Sequence, residues 1–192
     1  MGSKEGRAKA LNEKEVKVLK ALINSRPHKE RNMAIFMLGL QSGLRAFEIA
    51  TLRLSHIIEN NGELRDSTNI KGKGSKVSRI YFNSEVRKAL QAWLDVREDD
   101  IASDSLFYTQ KKQPLRANYI ARLMYELMQD ANIKEASSHS LRRTYANNLL
   151  EEGANIRDIK ELMRHSSIAT TQIYFESSET QLSALAEKLA KR

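Results

Sequence analysis

The 192-residue chain contains no cysteine. Disulfides, thiolate nucleophiles and zinc–thiolate sites are therefore excluded. Long apolar runs are missing as well. The most apolar stretch, Met33 to Leu40, is far too short to span a bilayer. The polar, charged N-terminus predicts no signal peptide. Together these absences predict an intracellular protein with no membrane partner. No aromatic-rich string of the kind that stacks RNA bases occurs, which argues against a basic RNA-binding module. No group of Asp, Glu and His has metal-ligand spacing, so neither a metal nor a cofactor is expected. Internal repeats and low-complexity tracts are also lacking.

What the chain does have is positive charge. Its formal net charge is +8 and its pI is about 9.7. This balance favours a polyanionic partner, nucleic acid before membrane surface. A basic pI alone is common among proteins with no such partner, so the motifs must carry the argument. The length suits one domain with a sizeable core.

Residues 4–10 are basic and unpatterned and read as a frayed linker. Asn12 and Glu15 form a capping-box signal for a helix with Leu19, Leu22 and Ile23 on its apolar face. Pro27 breaks it. The run from about Lys29 to Ser42 is apolar on most sides and reads as the central core helix, ended by Gly43. A short helix follows from Arg45, packing through Phe47, Ile49, Ala50 and Leu52. From Ile57 to Phe82 the pattern turns β-like, with Asn60-Asn61-Gly62 as a turn signal. This region reads as a small three-stranded antiparallel sheet with a lysine-rich loop, Lys71 to Lys76, at its tip. The glycines there are not a P-loop, because the spacing and the strand-to-helix context are absent. Ser84 is placed to cap a helix reaching about Glu98, with Trp93 in the core. Leu106-Phe107-Tyr108 is a short apolar anchor. Arg116 to Ala131 reads as a long helix whose exposed Arg116, Asn118 and Arg122 suit either a DNA groove or plain solvent. The fold class is thus mainly α with a small antiparallel sheet.

The richest chemistry lies between Ser138 and Phe175. His139 and Arg142 are three apart on a helix and share a face. Leu141, Tyr145 and Leu149 form the buried side of that helix, with His139 and Arg142 on another. Gly153 ends it, and Asn155 with Asp158 starts the next. His165 stands where that helical pattern stops, and Tyr174 follows in the apolar-flanked Ile173-Tyr174-Phe175. Two imidazoles, a guanidinium and a phenol together are able to bind an anion and attack it. The two helices also have a helix–turn–helix look, but their aliphatic stripes are ordinary core spacing. Finally, 177–191 is an amphipathic helix through Leu182, Leu185, Ala186 and Leu189.

This arrangement resembles the catalytic domain of the tyrosine recombinases, the phage integrase family. The family boxes read roughly H-x-L-R-H-T-x-A and L-G-H-x-S-x-x-T-T-x-x-Y. Here they read H-S-L-R-R-T-Y-A from His139 and M-R-H-S-S-I-A-T-T-Q-I-Y to Tyr174. Upstream, Gly43-Leu44-Arg45-Ala46-Phe47-Glu48 resembles a G-L-R-x-x-E box, and Lys71 to Lys76 resembles the G-K-G-x-K hairpin. The four occur in the family's order, from about Leu11 onward. Three positions depart from the pattern. Ser140 stands where many members have an acid, Arg143 where histidine is usual, and Arg164 where glycine is usual.

The residues fit phosphodiester cleavage. Two arginines from distant segments, Arg45 and Arg142, suit a clamp on phosphate oxygens, and His165 adds a donor. Tyr174 is the nucleophile that forms a phosphotyrosine, conserving bond energy so that religation needs no ATP. His139 is the base for its proton, and Lys73 the acid for the leaving 5′ oxygen. Glu48 either orients Arg45 or complements the helix start. Lys71, Lys76, Arg116, Arg122, Arg143 and Arg164 are candidate DNA contacts.

The resemblance implies the same six catalytic roles, a 3′-phosphotyrosine link, double-stranded DNA as partner and a homotetramer on DNA that is monomeric when free. It also implies an N-terminal core-binding domain that clamps DNA from the other side; no counterpart is read in these residues, so the expectation is either a fragment or a protein that works without that clamp. The expected division is a basic linker or remnant at 1–10, a catalytic domain at 11–176 and a C-terminal helix at 177–192 that docks on a neighbouring protomer. The alternatives are a type IB topoisomerase-like enzyme and a non-catalytic DNA-binding protein on the same scaffold.

Overall fold

A computed structural model describes residues 8–71, 77–98 and 104–164. Its elements in chain order are helices α1 (Glu13–Asn24), α2 (Lys29–Gln41) and α3 (Ala46–Ala50), a 3-10 turn (Leu54–His56), strands β1 (Ser67–Lys71) and β2 (Val77–Tyr81), then helices α4 (Ser84–Leu94), α5 (Ala117–Asp130), α6 (Ser138–Glu151) and α7 (Ile156–Leu162). The chain is mainly helical with a small antiparallel sheet, as its patterns predict. Among the described residues, no helix is long and apolar enough to cross a membrane.

Helix α2 is the centre. Every residue from Ala34 to Leu40 is buried, and the helix packs against α1, α3, α4 and α6. A helix apolar all round has no solvent face, which is why its sequence lacks a clear stripe. One close approach sets the geometry of the site. A Cβ on Gly39 would lie 2.8 Å from Leu141 Cδ1 of α6, so any side chain there would force Leu141 to shift, and glycine lets these two helices meet closely. Arg142, the next residue along α6, is thereby brought towards the C-terminal end of α2.

Local signals account for most boundaries. Asn12 and Glu15 form the capping box of α1, with the Asn12 side chain accepting the Glu15 N–H at 2.9 Å. That helix ends at Asn24, before Pro27. Helix α4 is capped by Asn83, not by Ser84 as the sequence suggests: Asn83 Oδ1 accepts the Val86 N–H at 3.0 Å. The helix also ends at Leu94, short of the expected Glu98. Trp93 is a core residue whose indole N–H donates to the Leu106 carbonyl at 3.0 Å, and Leu106, Phe107 and Tyr108 are all buried.

Two expectations are revised in detail. The described part of the sheet has two strands, not three. β1 and β2 pair in register from Ser67↔Tyr81 to Lys71↔Val77, while the upstream run contributes only an isolated Ile58↔Leu64 bridge across its Asn-Gly turn. Ile70 and Ile80 are the sheet's buried anchors. Residues 8–10, expected to fray, instead pack on the body. Ala8 is buried, and the Lys9 N–H donates to the Glu135 carbonyl at 3.2 Å. Next to them, the Leu11 N–H donates to Thr144 Oγ1 at 2.7 Å. Backbone hydrogen bonds of this kind cannot be read from a segment without periodicity.

Candidate functional site

The site is built around the turn that joins α2 to α3. Gly43 has φ +59, the left-handed conformation that glycine adopts without a Cβ penalty. The chain reverses there, with the Leu44 N–H returning to the Leu38 carbonyl at 3.2 Å. Arg45 then takes the N-cap position of α3. Its N–H donates to Glu48 Oε2 at 2.8 Å, and its guanidinium meets Glu48 Oε1 at 3.3 Å. Glu48 therefore fills both roles open to it from the sequence: it caps the helix start and pairs with the Arg45 side chain.

Helix α6 brings the second arginine. Ser137 caps it, its Oγ accepting the His139 N–H at 3.3 Å, and Ser140 Oγ accepts the Ser137 N–H at 3.0 Å. Ser140 thus completes a capping box, the task that an acid at this position would perform. The departure at Ser140 has a local structural answer. Thr144 Oγ1 donates to the Ser140 carbonyl at 2.8 Å while accepting from Leu11, tying the chain entry to α6.

His139 is half-buried in the first turn. Arg142 does not lie on an outer face of the helix. It is 2% exposed, and its guanidinium donates to the carbonyls of Gly43 and Met163. The sequence grouped it with His139, away from Leu141, Tyr145 and Leu149, although Arg142 is also three residues from Tyr145 and lies on the same side of the helix. The body of the protein wraps that face too.

Arg164 is the residue that sequence reasoning placed least well. It follows α7 with φ +54, which accounts for the glycine usual at this position: the chain turns left-handed there whichever residue is present. Its side chain, 4% exposed, points into the body and forms an ion pair with Glu48 at 3.0 Å. The same guanidinium donates to the Gly43 carbonyl at 2.8 Å and the Leu162 carbonyl at 2.8 Å. Burial alone would raise the Glu48 carboxyl. The Arg164 charge, the Arg45 N–H, the Arg164 hydrogen bond and the Arg142 charge outweigh it and hold Glu48 below the usual carboxylate range. Burial pushes the neighbouring Tyr145 phenol up, against the opposing charges of Arg164 and Arg142.

Of the six residues named from the sequence, the structure places Arg45, His139 and Arg142. Lys73, His165 and Tyr174 lie outside the described residues, as do Lys76 and the 177–191 helix. Among the candidate DNA contacts, Lys71, Arg116 and Arg122 are exposed. Arg122 pairs with Glu126 at 2.7 Å along α5, and Arg143 donates to the Ala8 carbonyl at 3.3 Å.

A cleft of about 390 Å³ runs between β2 and α7. Arg79, Arg157 and Lys160 line it with Glu161 and the inward-turned Arg164, and sequence reading passed over those first three cations. Arg79 is steadied by Ser67 Oγ at 2.8 Å and lies over the Tyr81 ring at 5.7 Å. Strand alternation and helix spacing mark these three residues as solvent-facing; only the packing of β2 near α7 groups them.

Comparisons with known proteins place this fold in a family. The phage integrase family model matches residues 9–181. Over 154 residues the chain is 36% identical to tyrosine recombinase XerC of Corynebacterium glutamicum, covering 79% of this chain and 48% of that protein. It is 34% identical over 170 residues to XerC of Caldanaerobacter subterraneus, covering 85% of this chain and 46% of that one. The chain spans about half the length of these curated relatives. Among solved structures, XerA recombinase superposes with a TM-score of 0.80 at 28% identity, over 95% of this chain and 65% of that one. XerH site-specific recombinase, solved with its difH substrate, gives 0.74 at 23% identity, over 94% of this chain and 54% of that one. The left-handed turn at Gly43, the two placed arginines and the His139 helix are thus set in a family scaffold, and the chain belongs to the phage integrase family as a catalytic domain of the tyrosine recombinase type.

Proposed function

We propose that the chain cuts and rejoins double-stranded DNA at specific sites through a covalent 3′-phosphotyrosine intermediate. Tyr174 Oη attacks the scissile phosphorus, and the bond from phosphorus to the 5′ oxygen breaks. His139 takes the phenol proton, and Lys73 supplies a proton to the leaving oxygen. Arg45, Arg142 and His165 offset the charge that builds on the non-bridging oxygens. One phosphoester is exchanged for another, so religation by a 5′ hydroxyl reverses the step without ATP or metal. Strand exchange then follows within a tetramer on paired duplexes, each 177–191 helix docking on its neighbour. Lys71, Lys76, Arg116, Arg122 and Arg143 serve as backbone contacts.

The observation that carries this reading is the convergence on one turn. Arg142 from α6 and Arg164 from the end of α7 both donate to the Gly43 carbonyl, and Arg45 begins the helix just beyond it. Segments far apart in sequence thus bring Arg45 and Arg142 to one turn, which supports reading it as the phosphate-binding side of the site. The test is incubation of the chain with a pool of nicked suicide duplexes, followed by a denaturing gel. A covalent protein–DNA band is expected. Its absence overturns the reading, and relaxation of supercoiled plasmid without recombination would assign the chain to topoisomerase-like chemistry.

A further inference from the structure

We infer that Arg164 is a positioning residue for the cleavage site, acting through Glu48 and the Gly43 carbonyl to hold Arg45 in register with Arg142, and not a DNA contact. The inference rests on the function proposed above and deepens it.

Three observations carry it. The first is conformational. Arg164 sits at φ +54, where any side chain is disfavoured relative to glycine. A residue persists there when the surroundings over-determine it. The second is what over-determines it. All three guanidinium nitrogens are engaged: Nη1 with the Leu162 carbonyl at 2.8 Å and the Ser42 carbonyl at 3.4 Å, Nη2 with the Gly43 carbonyl at 2.8 Å and Glu48 Oε2 at 3.0 Å, and Nε with Glu48 Oε1 at 3.5 Å. A side chain so occupied, 4% exposed, has no donor directed at a duplex. The third is what it joins. Glu48 is shared with Arg45, the Gly43 carbonyl is shared with Arg142, and His165 is the very next residue. One guanidinium therefore links the two arginines of the clamp. A planar fork can span a carboxylate and three carbonyls at once; a lysine ammonium cannot match that geometry.

The charged groups acting on Glu48 are Arg164, Arg45 and Arg142, with the protonated Tyr145 phenol beside them on α6. Glu48 orients Arg45 only while ionised. Its carboxyl is held low in the wild type, so the pairing with Arg45 is lost only as pH falls through that lowered value, separately from any loss of rate through protonation of the His139 base. Without Arg164 the carboxyl rises, and the acid limb of the rate profile moves to higher pH.

The experiment measures single-turnover covalent-adduct formation on the nicked duplex pool, using the full chain, across acid to neutral pH. Arg164→Gly, Arg164→Lys and wild type are compared, with folding checked by thermal melts. Arg164→Gly removes the backbone strain as well as the contacts. It is expected to cleave about 10–100-fold more slowly, the scale of a slight misplacement of reacting groups, with an acid limb shifted upward. DNA affinity and its salt slope should stay within about twofold of wild type, because no phosphate contact is lost. Arg164→Lys should recover part of the rate. If the wild type cleaves and Arg164→Gly matches it in rate and pH profile, the inference is overturned. It is likewise overturned if Arg164→Gly loses affinity with a shallower salt slope, which would make Arg164 a DNA contact. If melting falls while the rate and acid limb of the folded fraction are unchanged, the role is structural only and the inference fails. Absence of adduct from the wild type overturns the proposed function itself, and this inference with it.

Discussion

The ring of Tyr145 occupies the space that any side chain on Gly43 would need: a Cβ there would lie 2.5 Å from Tyr145 Cδ1 and 3.0 Å from Cε1. Gly43 is also left-handed, at φ +59. Two independent reasons thus require glycine, and they add. Gly43→Ala is expected to destabilise the fold by about 2–4 kcal/mol, from a backbone penalty near 1 kcal/mol and overpacking of roughly 1–3 kcal/mol. Denaturant unfolding at a fixed pH checks this. A loss under about 0.5 kcal/mol would mean that the ring moves freely.

Glu48 gives the fold an acid-labile component. Its folded pKa is depressed, so its contribution is complete above the ordinary carboxylate range and is lost as pH falls through the lowered value. Glu48→Gln leaves Arg164 buried without its counter-charge, which should cost about 3–5 kcal/mol at neutral pH. The variant should also lose less stability than wild type on acidification. Melting temperatures across the acid range test this, and parallel curves for the two proteins would refute it.

Tyr174→Phe removes only a hydroxyl. Duplex binding should persist, and the covalent band should vanish. A surviving adduct would move the nucleophile to another tyrosine, and peptide mapping of the adduct would identify it. Tyr145 is the least suited of the alternatives, since burial raises its phenol.

Lys73→Ala should slow cleavage by roughly 10²–10⁴, the usual worth of a general acid. A bridging sulfur at the 5′ position leaves without protonation. A 5′-phosphorothiolate duplex should therefore rescue Lys73→Ala but neither Arg45→Ala nor Arg142→Ala. Rescue of all three alike, or of none, would place the acid elsewhere, with Lys71 and Lys76 next to be tried.

The apolar stripe of the 177–191 segment must be buried against some surface. Removal of residues 179–192 is expected to abolish recombination and DNA-bound oligomers while leaving weak single-site binding. Sedimentation on paired-site DNA decides the matter, and tetramers of unchanged size would restrict the helix to its own domain.

Most of the fold was legible because its signals are local. Asn12 with Glu15, Gly43 and Asn155 each mark a boundary through chemistry confined to a few residues, and α2 declares itself by having no polar side. The placed site residues were found through motif order and not through periodicity. What sequence could not show was direction. Arg142 and Arg164 are charged, and charge in a sequence points to solvent, yet both guanidiniums turn inward because backbone carbonyls and Glu48 from remote segments receive them. Ser140 looked like a lost acid until its hydroxyl was seen completing the cap. Arg79, Arg157 and Lys160 belong to elements that meet only in the folded chain.

The contact between Gly39 and Leu141 has a mechanical meaning. Interiors packed this tightly resist sliding, and here the two helices touch with no side chain between their axes on one side. Helix α2 ends in the turn that carries Arg45, and α6 carries Arg142. The spacing of the two arginines is therefore tied to this contact, and shifting one against the other would first have to open it.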